Sequence, residues 1–362
     1  MYDTTSLGSG SGFRTIPVAQ AVGCVLPHDI TEIRKGEFKG RAFKKGHIVS
    51  AEDIDHLKRL GKENLFVMSL AEDDVHEDEA AHALARALAG SGVEAKGGPK
   101  EGKINLVATR DGLLRVRRDA LFRFNELGEM MCATLHDGMI VTKGTVVAGT
   151  RAIPLVVKRR IVDEAVAIAS SAGGVVEVCE MRKPRAGIVI TGNEVYHGRI
   201  KDAFAPVITE KIEALGGEVA GIRYAPDDKE FIIESLRSLI GGGADLLITT
   251  GGMSVDPDDV TRFAIADLGA RDLCYGSAVL PGAMFLVGYL PGSREGWTPE
   301  TIPILGIPAC GMYAKVTVFD LVLPRILAGE KIGRRELAEL GHGGLCMKCK
   351  ECSYPRCAFG KA

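Results

Sequence analysis

A chain of 362 residues, 46% hydrophobic and 25% charged, has the composition of a globular protein of two or three domains rather than of a disordered segment. A formal net charge of -2 excludes global electrostatic recruitment of nucleic acid or of an anionic membrane. No apolar run approaches the roughly 18 residues needed to span a bilayer.

The first residues, MYDTTSLGSGSGF, lack the charged-then-apolar layout of a signal peptide. Residues 1–14 read as a flexible arm, and the expected compartment is the cytoplasm. Residues 15–75 form a first region. TIPVAQAVGCVLPHDI is helix-like, Ser50 is placed to cap a helix that reaches Leu60 and stops at Gly61, and NLFVM is a short strand. Residues 76–182 form an α+β, partly β-rich region whose role the residues do not reveal. It opens with the alanine-rich helix EDEAAHALARALAG, carries an Asp111-Gly112 hairpin signal, and closes with the helix RIVDEAVAIASSAGG and the strand VVEVCEM.

From Lys183 strands and helices alternate. RAGIVITG, EVAGIRYAP, ADLLITT, AMFLVGYL and TIPILGIP read as strands. DAFAPVITEKIEALGG, with Asp202 near its start, and KEFIIESLRSLI, capped by Asp227 or Asp228, read as helices, followed by a long apolar helix in MYAKVTVFDLVLPRILAG. This alternation predicts an α/β fold over residues 183–330: an open, mostly parallel sheet with helices on both faces.

Ligands of such sheets sit beyond the carboxyl ends of the strands. Two strand-end loops stand out, ITGNEVYHG and TTGGMSVDPDD. Gly192, Gly251 and Gly252 allow backbone N–H groups near an anion, Thr191, Thr250 and Ser254 add hydroxyls, and the next helix offers its positive end. The pattern points to phosphate. Asp256, Asp258, Asp259 and Glu194 repel phosphate unless a divalent cation intervenes, and Mg²⁺ suits one or two carboxylates plus substrate phosphates. The plainer alternative stays open: Asp258 or Asp259 caps the helix and Asp256-Pro257 makes a turn.

Taken in order, TGNEV, Asp202, PDD, ITTGGMSVDPDD, VLPG and GIPACGMY resemble the molybdopterin-binding domain of the molybdopterin molybdenumtransferases, the molybdenum insertases. The likeness covers residues 183–330, and residues 15–75 resemble a condensed insertase N-terminal region. The resemblance implies binding of molybdopterin or adenylylated molybdopterin, with Pro281, Gly282, Gly306 and Pro308 joining the strand-end loops as binding residues. It also implies that Glu194, Asp259 and Asp228 organise Mg²⁺ for the insertion of molybdate or tungstate with release of AMP. A homodimer and a cofactor-accepting enzyme are the implied partners. The family's lysines around its Pro-Gly are replaced by Leu280 and Ala283, and its Asp-Ser-Asn by Asp202-Ala203-Phe204. A non-catalytic carrier or sensor of the pterin cofactor is therefore the alternative to a transferase. Adenylylation is disfavoured by Met253-Ser254, where adenylyltransferases have Thr-Gly.

Residues 331–362 form a short metal-binding tail. Cys346, Cys349, Cys352 and Cys357 follow C-x2-C-x2-C-x4-C, a thiol density that points to a [4Fe–4S] cluster or to Zn²⁺. Gly341-His342-Gly343-Gly344 reads as a hinge ahead of it. Cys24, Cys132, Cys179, Cys274 and Cys310 read as scattered reduced thiols. The histidines show no spacing that suggests a site, except that His197 stands beside Tyr196 in a candidate ligand loop.

Overall fold

The computed structural model describes residues 13–24, 26–34, 38–68, 72–100, 102–253, 259–292 and 301–361. Most of the arm, Ser254, Asp256, Pro257 and Asp258 lie outside these residues. The chain divides into two compact units, the first of Met1–Leu135 and Val141–Val178, the second of His136–Ile140 and Cys179–Ala362. Among the described residues no helix is long and apolar enough to cross a membrane.

In the first unit Phe13–Pro17 pairs antiparallel with Asn64–Met68, and Ile30–Arg34 with Phe38–Phe43. The helix expected over residues 15–30 is therefore a strand followed by a 3-10 turn, Val18–Gln20. Its backbone groups are used in the ladder with Asn64–Met68, and tertiary pairing overrides the local pattern. The next helix runs over Asp53–Arg59. The carbonyl of Ser50 accepts from Asp53 N at 3.2 Å, but its side chain does not cap the helix. Instead its N–H and hydroxyl both donate to Asp53 Oδ2, each at 2.8 Å. Val18, Leu26, Phe43, Leu57 and Leu65 share one small core. Further along, Glu77–Leu88 is helical as expected, and Val93–Lys100, Lys103–Ala108, Val146–Ala152 and Met130–Thr134 form an antiparallel sheet in that spatial order. The Asp111-Gly112 pair closes no hairpin: Gly112–Val116 joins a different sheet, and Asp111 Oδ1 accepts from Lys143 N at 2.7 Å.

The second unit contains the α/β sheet. Its elements are β1 (Arg185–Thr191), α1 (Phe204–Ala214), β2 (Glu218–Ala225), α2 (Lys229–Gly241), β3 (Leu246–Thr250), α3 (Thr261–Asp267), β4 (Arg271–Tyr275), β5 (Leu286–Pro291), β6 (Thr301–Ile307), α4 (Val318–Leu327) and α5 (Arg334–Glu339). The sheet order is β2-β1-β3-β6-β5-β4, with β2, β1, β3 and β6 parallel, β5 antiparallel to β6, and β4 antiparallel to β5.

β1 and β3 are near-continuous apolar runs because both their faces are covered. Alternate residues point to opposite sides of the sheet. Ile188, Ile190, Leu246 and Ile248 pack with α1 and α4, whereas Val189 and Leu247 pack with α2 and α3. The caps are local. Asp202 accepts from Phe204 N at 2.8 Å at the start of α1, and Asp228 Oδ1 accepts from Phe231 N at 2.8 Å at the start of α2. The last long helix is shorter than its apolar run, because Thr317 and Asp320 form a capping box that starts it at Val318.

Candidate functional site

The parallel strands β1, β3 and β6 deliver their carboxyl ends to one side of the sheet. Thr191, at the end of β1, is buried and donates its hydroxyl to Thr250 O at 2.8 Å. Its oxygen also lies 3.1 Å from Thr261 Oγ1. Thr250, at the end of β3, is fully buried, and its hydroxyl finds no hydrogen-bond partner among the described residues.

Gly251 and Gly252 follow at φ +79° and +55°, a region that L side chains rarely adopt. A Cβ on Gly251 would stand 2.3 Å from Thr191 O, and one on Gly252 2.4 Å from Thr261 Oγ1. The glycines thus first satisfy the chain's own close approach. Gly306 does the same on β6, where the buried Met253 fills the space a side chain would take, its Cε 2.5 Å from an added Cβ. Tyr275 fastens this loop by donating its hydroxyl to Met253 O at 2.6 Å.

The Pro281–Gly282 loop enters from the side. Ser277 Oγ donates to Gly282 O at 2.9 Å, and Val318 N to Pro281 O at 3.2 Å. Together with Gly251, Gly252, Asp259 and Pro308, Pro281 and Gly282 line a cavity of about 570 Å³. Six of the predicted residues are therefore brought together.

Others are placed elsewhere. Glu194 is exposed on the single helical turn Asn193–Tyr196 and folds back so that a Cβ on Gly192 would meet its Oε1 at 2.8 Å. Asp228 caps α2, while Asp227 Oδ2 accepts from Asn193 N at 3.0 Å. Neither Glu194 nor Asp228 is among the described lining residues of the cavity, and Ser254 lies outside the described chain.

The C-terminal segment is docked, and its glycines are not a hinge. Gly344 O accepts from Leu280 N, and Cys346 N donates to Leu280 O, both at 2.8 Å. A Cβ on Gly344 would stand 2.3 Å from Leu340 O. Farther along, Phe359 is buried in the main core, its ring 6.4 Å from that of Tyr354, and Gly360 packs against Leu321. Burial pushes the Tyr354 hydroxyl up to about 12, and the neighbouring Asp320 and Cys357 charges act in the same direction.

This docking adds Leu345 and Lys348 to the wall of the cavity. Nothing local in the sequence points to them, because they come from some sixty residues beyond the loop they meet. A second cavity, of about 630 Å³, shares Pro281, Cys310, Leu345 and Lys348 with the first. Cys346, Cys349, Cys352 and Cys357 all line it, together with Lys315 and Lys350. Cys346 and Cys357 are half-buried, and Cys349 and Cys352 exposed. Lys348 N donates to Cys346 Sγ at 3.5 Å. Among the described residues no three His, Cys, Asp or Glu side chains are gathered as a metal requires. Cys310, shared by both cavities, has its thiol pushed up by burial.

Comparison with known proteins bears on both units. Residues 15–69 match a domain of unknown function. A CinA-like protein of Mycobacterium avium (strain 104) is 40% identical over 95 residues, 26% of this chain. The match spans 22% of that relative's length, about a fifth. Among solved structures, the molybdopterin biosynthesis enzyme MoaB of Thermus thermophilus is 25% identical, covers 41% of this chain and 98% of its own, and has a TM-score of 0.33. The tungsten cofactor synthesizing protein MoaB of Pyrococcus furiosus is 20% identical over 41% of this chain and 92% of its own, with a TM-score of 0.30. Residues 187–328, which hold nearly all of the sheet and every described lining residue of the strand-end cavity except Leu345 and Lys348, match the family model of a probable molybdopterin binding domain.

Proposed function

We propose that this chain binds molybdopterin or its adenylylated form in the strand-end cavity. On this reading it acts in the cytoplasm in molybdenum or tungsten cofactor biosynthesis, as an insertase-like transferase. One observation carries the reading. Gly251, Gly252 and Asp259, then Pro281 and Gly282, then Pro308, from three separated stretches, line one cavity at the carboxyl ends of parallel strands. The family match over residues 187–328 supports the same ligand.

Asp259 supplies one carboxylate at the cavity, and the unpartnered Thr250 hydroxyl lies buried where β3 ends beside it. That donor set suits Mg²⁺, which takes few protein carboxylates and completes its shell with phosphates and water. Bound there, Mg²⁺ would neutralise phosphate charge during cleavage of the phosphoanhydride. Once molybdate has joined the dithiolene sulfurs with loss of water, a second water adds to the adenylyl phosphorus, AMP leaves with the added oxygen, and the pterin keeps its own phosphate.

The four tail cysteines are proposed to hold a [4Fe–4S] cluster or Zn²⁺. Their spacing and shared cavity support this, and metal binding would draw the thiols together. A homodimer and a cofactor-accepting enzyme are the proposed partners.

The second reading, a carrier or sensor without turnover, draws on the position of Glu194 and Asp228 away from the described cavity lining. The two separate in one assay: anaerobically purified protein is incubated with adenylylated molybdopterin, Mg²⁺ and molybdate, and AMP is followed by chromatography. Molybdate-dependent AMP release supports the transferase. Tight pterin binding without AMP supports the carrier. Absence of both binding and release sinks both readings.

A further inference from the structure

We infer that Lys348 is the oxyanion-binding residue of the strand-end cavity, supplied by the C-terminal segment; the inference rests on reading that cavity as the molybdopterin site. The ligand chemistry is a tetrahedral oxyanion, either a phosphate of the pterin nucleotide or molybdate or tungstate.

The lining of the cavity carries the argument. Among its described residues Lys348 is the single cation and Asp259 the single anion. The lining loop Leu280-Pro281-Gly282-Ala283 brings no charge of its own. Lys348 is held there by backbone structure. The two hydrogen bonds between Leu280 and the Gly344–Cys346 segment, both 2.8 Å, lay the segment beside that loop. Lys348 then takes φ +53°, a conformation uncommon outside glycine, and its N–H turns back to Cys346 Sγ at 3.5 Å. Phe359, buried in the core, anchors the far end. No carboxylate among the described residues forms an ion pair with Lys348, and the side chain is exposed at the junction of the two cavities. A strongly hydrated ammonium on a flexible stem suits a tetrahedral anion that is bound and released.

The test uses the full chain and three probes: molybdate alone, inorganic phosphate alone, and molybdopterin followed by its own fluorescence. Lys348→Met is expected to weaken binding of molybdate or phosphate by at least about tenfold, with Lys348→Arg retaining most of it. Loss for molybdate alone assigns Lys348 to the metal oxyanion, and loss for phosphate alone to the nucleotide phosphate. Unchanged affinity for both in Lys348→Met, or no binding of either by the wild type, overturns the inference. If molybdopterin still binds in that case, only the role of Lys348 falls. If molybdopterin does not bind at all, the reading of the cavity falls with it.

Discussion

The main-chain N–H of Cys346 donates to the carbonyl of Leu280 at 2.8 Å, so the first thiol of the cysteine run is tied to the residue that opens the Pro281–Gly282 loop. The cysteine segment is thereby a wall of the candidate ligand site, and what happens at one is physically adjacent to the other.

Gly251 is the position where the loop has least freedom. Alanine there combines a left-handed backbone, which costs about 1–2 kcal/mol, with a Cβ 2.3 Å from a carbonyl oxygen that cannot easily move. Gly251→Ala is expected to destabilise the fold by roughly 2–4 kcal/mol, read as a lower urea midpoint. Gly306→Ala meets the flexible end of Met253 and is expected to lose less. A wild-type midpoint for Gly251→Ala would mean that the turn is not built as described.

Asp259 is the predicted carboxylate that lines the cavity. Asp259→Asn is expected to reduce Mg²⁺-dependent AMP release at least about a hundredfold, several kcal/mol of phosphate stabilisation, with circular dichroism unchanged. Glu194→Gln tests the exposed carboxylate separately. Comparable loss would give Glu194 a place in the reaction, whereas unchanged turnover would remove it from the site.

Metal analysis of anaerobically purified protein decides the tail. Iron with broad visible absorption identifies a cluster, and stoichiometric zinc in colourless protein identifies a structural ion. Paired Cys346→Ser and Cys349→Ser substitution is expected to abolish either. Protein that carries neither metal after growth with both would refute the metal reading.

Thiol chemistry gives a pH test. Burial pushes the Cys132 pKa to about 12, so it stays protonated where an ordinary thiol, near 8.5, begins to ionise, and burial raises the Cys310 pKa in the same direction. After chelation, iodoacetamide at pH 8 is expected to label the exposed Cys349 and Cys352 well before Cys310 or Cys132. Because the folded-state pKa is raised, the stability linked to Cys132 is complete below the ordinary thiol pKa. It is lost as pH rises from about 9 towards about 12. Cys132→Val should flatten that alkaline decline; an unchanged decline would show that other groups cause it.

Much of the α/β unit was legible in the residues alone. Runs such as RAGIVIT and ADLLITT are apolar at successive positions because both faces of a parallel strand are covered; a cap by Asp227 or Asp228 was readable before KEFIIESLRSLI, and the structure selects Asp228. The Gly-Gly turn and Asp259 were read from their place after a strand, and Pro281, Gly282 and Pro308 only through the resemblance; the structure lines one cavity with all six. Residues 15–30 were misread as a helix and Asp111-Gly112 as a hairpin, because strand pairing depends on partners that local pattern does not name.

Local propensity, burial period and cap chemistry act over a few residues, and these the sequence by itself determined: the alternation of strands and helices, the glycine turns and the thiol spacing. Only the tertiary structure decided which distant segments share a wall. It showed that the glycines make room for Thr191, Thr261 and Met253, that Glu194 and Asp228 lie outside the described cavity lining, and that Leu345 and Lys348 lie within it. The reason is that two hydrogen bonds to Leu280 and the burial of Phe359 join parts of the chain whose proximity no short stretch encodes.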